Sequence, residues 1–155
     1  MFDVLKPNVP VGLCSDHAGF QLKEEIKEWL DEYKVPYIDF GTDSDASCDY
    51  ADFAHKCAVA LENDVVYPAI AICGSGNGIG MTMNKHQGVR AAHCWCTELG
   101  KLARQHNDAN ALVLGARFIE TISAIQIVNA FLSTSFEGGR HQRRIEKIPV
   151  DFSKV

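Results

Sequence analysis

The chain has no run of apolar residues approaching the ~18 that a membrane-spanning helix needs. It has little positive charge: 15 Lys and Arg stand against 20 Asp and Glu, a net charge of −5. That balance argues against nucleic acid and anionic membranes as main partners, because both bind through concentrated basic surface. Met1 to Pro10 has one lysine and no long apolar stretch, so it does not read as a secretory leader, and a soluble protein of the cytoplasm is expected. The six cysteines, Cys14, Cys48, Cys57, Cys73, Cys94 and Cys96, include no Cys-x-x-Cys pair. Without an export signal they read as reduced thiols rather than a disulfide framework. No internal repeat, low-complexity segment or linker divides the sequence.

What is present is an ordinary globular mixture, 46% hydrophobic and 23% charged in 155 residues. One domain covering 1–155 is expected, burying roughly 70% of the surface of its unfolded chain. Short apolar runs alternate with amphipathic segments. Strands are predicted at Val11 to Ser15, Val35 to Phe40, Pro68 to Cys73, Val89 to Cys94 and Ala111 to Leu114. The uninterrupted Pro-Ala-Ile-Ala-Ile-Cys run suits a strand covered on both faces. Helical spacing relates Leu22, Ile26, Trp29, Leu30 and Tyr33. It recurs over Tyr50 to Asn63, after the glycine loop to about Lys85, over Thr97 to Gln105, and through Ile122, Ile125, Val128, Phe131 and Leu132. A short basic helix is predicted at about 139–147. This alternation implies an α/β fold, a three-layer α/β/α sandwich on a five-stranded parallel sheet, Rossmann-like in organisation. In such a fold, sites form beyond the carboxyl ends of the strands.

The segment Cys73 to Gly80 reads Cys-Gly-Ser-Gly-Asn-Gly-Ile-Gly. Glycines at alternate positions leave backbone amides uncovered, which suits an anion. It is not a dinucleotide fingerprint, because Ile79 and Met81 stand where the last glycine would fall, nor a nucleotide P-loop, which requires Gly-Lys-Ser/Thr. A tight turn that only lets a helix pack on the sheet is the plain alternative. Cys73 ends the strand at this loop, where a thiolate could act as base or nucleophile; a small buried hydrophobe is the alternative. Asp16 and His17 follow the first strand and could hold hydroxyls or move a proton, or merely cap a helix. His106, with Asn107 and Asp108, closes the fourth helix: a proton donor, or a cation placed there by the helix dipole alone. Arg140 and Arg144 lie one turn apart and could clamp a phosphate, with Arg117 as a further cation at the same rim; a solvated surface helix is the alternative. His93, Cys94 and Cys96 do not make a metal site, since their spacing matches no structural zinc pattern and strand alternation separates His93 from Cys94.

Four segments together carry a resemblance: Ser-Asp-His-Ala-Gly-Phe (15–20), the loop 73–80, Arg-Gln-His-Asn-Asp-Ala-Asn (104–110) and Glu-Gly-Gly-Arg-His-Gln-Arg-Arg (137–144). The chain resembles the B-type ribose-5-phosphate isomerases, a family that includes allose 6-phosphate and galactose 6-phosphate isomerases. The resemblance implies a homodimer, with a tetramer as the alternative, with each site built from both subunits, and no metal or organic cofactor. It implies aldose–ketose isomerisation of ribose 5-phosphate and ribulose 5-phosphate through an enediolate. The position of Cys73 is that of the base, that of His106 of the ring-opening proton donor, and Ser75 assists. Asp16, His17, Tyr50, Asn107, Arg117, Arg140 and Arg144 match substrate contacts, and Gly74, Ser75, Gly76, Asn77 and Gly78 match the amide cradle. Ser75 stands where cysteine-type members carry Thr. Ile79 stands where a carboxylate-based subgroup carries Glu, which places this chain with the cysteine type. A six-carbon sugar phosphate, or a non-catalytic sugar-phosphate-binding domain, remains the alternative.

Overall fold

The structure, a computed structural model, describes residues 2–153. The elements run β1 (Val11–Ser15), α1 (Phe20–Glu32), β2 (Tyr37–Asp39), α2 (Tyr50–Glu62), β3 (Ala69–Cys73), α3 (Asn77–Met83), β4 (Ala91–His93), α4 (Thr97–Asn107), β5 (Ala111–Gly115), α5 (Thr121–Leu132) and α6 (Arg140–Ile145). The five strands form one sheet in the order β2-β1-β3-β5-β4, and every adjacent pair is parallel. The three-layer α/β/α sandwich expected from the sequence is the observed architecture.

The three inner strands are buried along their whole length, which is why they read as unbroken apolar runs. Alternation then sorts their side chains between two cores. Ile70, Ile72, Leu112 and Leu114 face a core shared with α1, α4 and α5. Ala69, Ala71, Cys73, Ala111 and Val113 face the layer of α2 and α3, where Ala54, Cys57, Ala58, Ile79 and Met83 meet them. Leu22, Ile26 and Leu30 form the buried stripe of α1, and each such side chain contributes roughly 1.5–3 kcal/mol by leaving water. No helix among the described residues is long and apolar enough to cross a membrane.

The two edge strands are shorter than the sequence suggests, for a local reason. Helix α1 ends with Lys34 in the left-handed region (φ 56°), and the Val35 N–H reaches back to the Leu30 carbonyl at 2.9 Å. This is a helix-ending turn with its apolar contact, so Val35 closes α1 instead of opening β2. Val89 likewise belongs to a turn, its N–H donating to the His86 carbonyl at 3.1 Å.

Candidate active site

From β1 the chain steps to β2 on one side and to β3 on the other, so the carboxyl ends of β1 and β3 meet at a switch point of the sheet, where crevices form in open α/β sheets. The Asp16 N–H donates to the Ile72 carbonyl at 3.2 Å, laying the loop after β1 across the end of β3. Asp16 is buried, and its Oδ1 accepts the Gly19 N–H at 3.0 Å. His17 Nδ1 accepts the Cys48 N–H at 3.2 Å, which ties its ring to the acidic turn before α2.

Cys73 is the last residue of β3 and is 4% exposed, whereas Cys14 and Cys57 in the same core are wholly enclosed. Its Sγ accepts the Gly76 N–H at 3.1 Å, and Ser75 Oγ accepts the Asn77 N–H at 3.2 Å. Two amides of the loop are therefore folded inward onto the loop's own sulfur and hydroxyl. Ser75 and Asn77 themselves are exposed. Gly76 is left-handed (φ 82°), and a Cβ there would lie 2.4 Å from His93 Nε2, so only glycine fits. A Cβ on Gly78 would lie 2.5–2.9 Å from the Tyr50 ring, so Tyr50 covers that end of the loop. Arg117 flanks the other end: its N–H donates to the Gly74 carbonyl at 3.0 Å, and its Cδ and Cζ lie 3.4 Å from the Cβ position of Gly74. Asp16, His17, Tyr50, Cys73 to Gly78 and Arg117 thus share the carboxyl pole of the sheet. Beside the loop is a cavity of about 280 Å³ whose lining includes Ser75, Asn77, His93 and Trp95. Burial holds the His93 imidazole below its ordinary value.

His106, Asn107, Arg140 and Arg144 are elsewhere. Helix α4 runs back along the sheet after β4, so its last turn reaches the amino pole, where the Asn110 carbonyl accepts the N–H of Ala69, the first residue of β3. The five residues of β3 span roughly 13 Å from that point to Cys73. Helix α6 packs on α4 with Arg140 and Arg144 both exposed, so within one chain Arg117 and this pair occupy opposite rims, contrary to the single rim expected. A larger cavity, about 590 Å³, also lies at the amino pole, and Asn107, Arg90 and Lys85 are among its walls. It does not touch Cys73.

The turn that presents His106 and Asn107 is held by two residues that the sequence reading did not single out. Arg104, 4% exposed, donates from its guanidinium to the Ala109 carbonyl and pairs with Asp108 at 2.7 Å. Arg90 donates to the Asn107 carbonyl at 3.0 Å and the Asp108 carbonyl at 2.8 Å. The i,i+4 spacing of Arg104 and Asp108 was the available signal. Among the described residues one group of three ligating side chains converges, His106, Glu137 and His141, with ligand atoms within 4.8 Å of one another. The two rings are stacked with planes 9° apart. Their in-plane nitrogen lone pairs run side by side and do not meet at one point, which does not suit a metal ion.

Fold and site together define a parallel α/β sandwich with a cysteine and a bare-backbone loop at its switch point, of the kind that handles small anionic metabolites. Residues 11–148 match the family described as Ribose/Galactose Isomerase. The chain is 44% identical to ribose-5-phosphate isomerase B of Escherichia coli over 133 residues, 86% of this chain and 89% of that one. A ribose 5-phosphate isomerase structure from Thermotoga maritima superposes with a TM-score of 0.90 at 43% identity, covering 92% of this chain and 98% of that one. The enzyme from Mycoplasma genitalium with bound ribulose-5-phosphate gives a TM-score of 0.86 at 43% identity, over 91% and 94% of the two chains. The chain belongs to the ribose/galactose isomerase family.

Proposed function

We propose that this protein interconverts ribose 5-phosphate and ribulose 5-phosphate in the cytoplasm, with Cys73 as the base that moves a proton between C2 and C1. The observation that carries the reading is the placement of Cys73: a sulfur at the end of a buried strand, facing a loop amide, between Asp16–His17 and Arg117. The named relatives favour the five-carbon sugar over allose or galactose 6-phosphate.

Chemistry follows from the arrangement. Sulfur takes the C2 proton of the open-chain aldose and returns it to C1, while the hydroxyl proton on O2 passes to O1, so no electrons leave the substrate. Charge that gathers on the enediolate oxygen meets N–H donors of the loop; such donors are worth about 3 kcal/mol each where measured. The Gly76 N–H, already on Sγ, holds the sulfur in place at the mouth of the loop. His106 donates the proton that opens the sugar ring. Arg117 and the Arg140–Arg144 pair hold the phosphate and use its binding to orient the reacting carbons. Because the two groups of residues lie at opposite poles, the working unit is a homodimer in which the amino pole of one subunit completes the cradle of the other.

The test is proton exchange together with a substrate panel. Ribose 5-phosphate incubated in heavy water should gain deuterium at C2, and turnover should exceed that of allose and galactose 6-phosphates. Cys73→Ala should lose roughly 10²–10⁴-fold in kcat while still binding the sugar phosphate. Near-normal turnover in that variant removes Cys73 from its role, and binding without exchange in the wild type leaves a non-catalytic sugar-phosphate module.

A further inference from the structure

The last turn of α4 and the start of α6 bring two imidazoles and one carboxylate together, and no step above uses two of the three. His106 stacks on His141 with centroids 4.2 Å apart and planes 9° apart. Glu137 Oε2 lies 3.6 Å from His141 Nε2 and 4.0 Å from His106 Nε2. The backbone fixes this arrangement: the Glu137 N–H donates to the Gln105 carbonyl, and the His141 N–H to the Gly138 carbonyl, each at 3.1 Å. The rings differ in exposure. The His141 side chain is 7% exposed, on the inward face of α6 with Ile145, and that of His106 is 38% exposed.

We propose that Glu137 and His141 are positioning residues for His106: His141 holds the His106 ring flat in one orientation, and Glu137 supplies the carboxylate that balances one positive charge on the stacked pair. This rests on the reading of His106 as the proton donor for ring opening. Two parallel imidazoles in contact resist a second positive charge, and one carboxylate balances only one. Burial then decides which ring is charged, because the enclosed ring gives up more hydration. His141 is held below the ordinary imidazole value, first by burial, then by His106, Arg140 and Arg144, with Glu137 opposing. The other charges at this corner are Arg104 and Asp108 on α4, paired at 2.7 Å, and Arg90 before β4, which also reaches Asp108 at 3.4 Å. Asp108 is thus committed to two arginines, and Glu137 is the carboxylate that lies against the two imidazoles. A donor so arranged keeps an exposed edge that can be reloaded from water.

The experiment compares two activities of the intact enzyme. Ribose 5-phosphate must be ring-opened. Ribulose 5-phosphate cannot close a five-membered ring, because its 5-hydroxyl is esterified, so deuterium exchange at its C1 reports the carbon step alone. Glu137→Gln should lower kcat for ribose 5-phosphate about 10-fold with KM unchanged, as expected for part of a general-acid contribution. Its alkaline limb should move to lower pH, since the imidazolium loses its counter-charge. His141→Ala should lose about 10-fold, and His141→Phe, which keeps a flat ring, should recover to within about 3-fold of wild type. Exchange at C1 of ribulose 5-phosphate should stay within about 2-fold in all three. His106→Asn is the reference. If it loses turnover while Glu137→Gln and His141→Ala keep wild-type kcat and pH profile, the positioning role is overturned and His106 keeps its assignment. If His106→Asn turns over normally, the donor assignment falls and the positioning role with it. Equal loss of turnover and exchange in Glu137→Gln and His141→Ala also overturns the proposal, because it signals general damage to the site.

Discussion

Gly76 concentrates several demands of the site in one residue. Its left-handed φ, its N–H on Cys73 Sγ and its contact with His93 all depend on the missing side chain. Gly76→Ala should cost about 1–2 kcal/mol from the left-handed backbone alone, plus the displacement of the His93 ring. Turnover should fall with stability, because the amide then leaves the sulfur. Adding His93→Ala should restore the packing part of the loss and not the backbone part, a non-additivity that thermal melts of the single and double variants would reveal. Ser15, next to Asp16, makes the opposite point. Its hydroxyl is wholly buried and has no hydrogen-bond partner among the described residues, so it carries a desolvation cost that no protein group offsets there. Ser15→Ala should leave the melting temperature unchanged or raise it, by an amount equivalent to about 1 kcal/mol; a fall of that size would show that the hydroxyl is engaged.

Between elements, the tie from α1 to β2 is ionic. Lys23 is fully buried, and its Nζ donates to Asp39 and, at 2.9 Å, to Glu24; Lys27 meets Asp39 at 3.1 Å and Glu24 at 2.9 Å. Burial alone would raise Asp39, but hydrogen bonds from Lys23, the Gly41 N–H and Lys27 outweigh it, and its carboxyl is held below the usual value. Glu24 is lowered in the same way, its burial outweighed by Lys27 and Lys23. The sign follows: the folded state binds these protons more weakly than the unfolded chain. Their stabilisation is full above the unfolded carboxylate value of about 4 and is lost as pH falls through the lower folded values. Asp39→Ala strands the buried Lys23 ammonium with Glu24 alone and should cost about 3 kcal/mol near neutrality, with the difference from wild type closing as pH falls through the lowered Asp39 value. Lys23→Met should cost less, because Lys27 still serves Asp39. Melting curves against pH would decide, and a gap that persists in acid would move the effect from charge to packing. The same edge shows where the sequence stopped being legible. The inner strands announced themselves because burial on both faces demands continuous apolar runs. The ends of β2 and β4 did not, since Val35 and Val89 are as apolar as strand residues and serve turns instead. Strand order leaves no trace in periodicity at all.

At the scale of the molecule, the candidate residues were legible one by one, but their grouping was not. Cys73, Asp16, His17 and the glycine loop could be found from their position after strands. Arg140 and Arg144 looked like members of the same rim as Arg117, although they pack on a helix that returns antiparallel to its strand and carries its last turn to the other pole. If two chains complete each other's sites, that separation predicts complementation. Cys73→Ala disables the carboxyl pole, and His106→Asn disables the amino pole. Each homodimer is then inactive at both sites. Unfolded, mixed in equal amounts and refolded, the variants should give half mixed dimers. A mixed dimer has one site with both lesions and one with neither, by the two-fold symmetry of the assembly. Activity should therefore return to about a quarter of wild type, with the KM of the unmodified enzyme, since each restored site is chemically intact. Mixing without refolding should give a slower rise, at the rate of subunit exchange. A mixture that stays inactive after refolding, though mass measurement finds dimers containing one chain of each kind, would mean that each site is made within one chain, and the two poles would then need separate explanations.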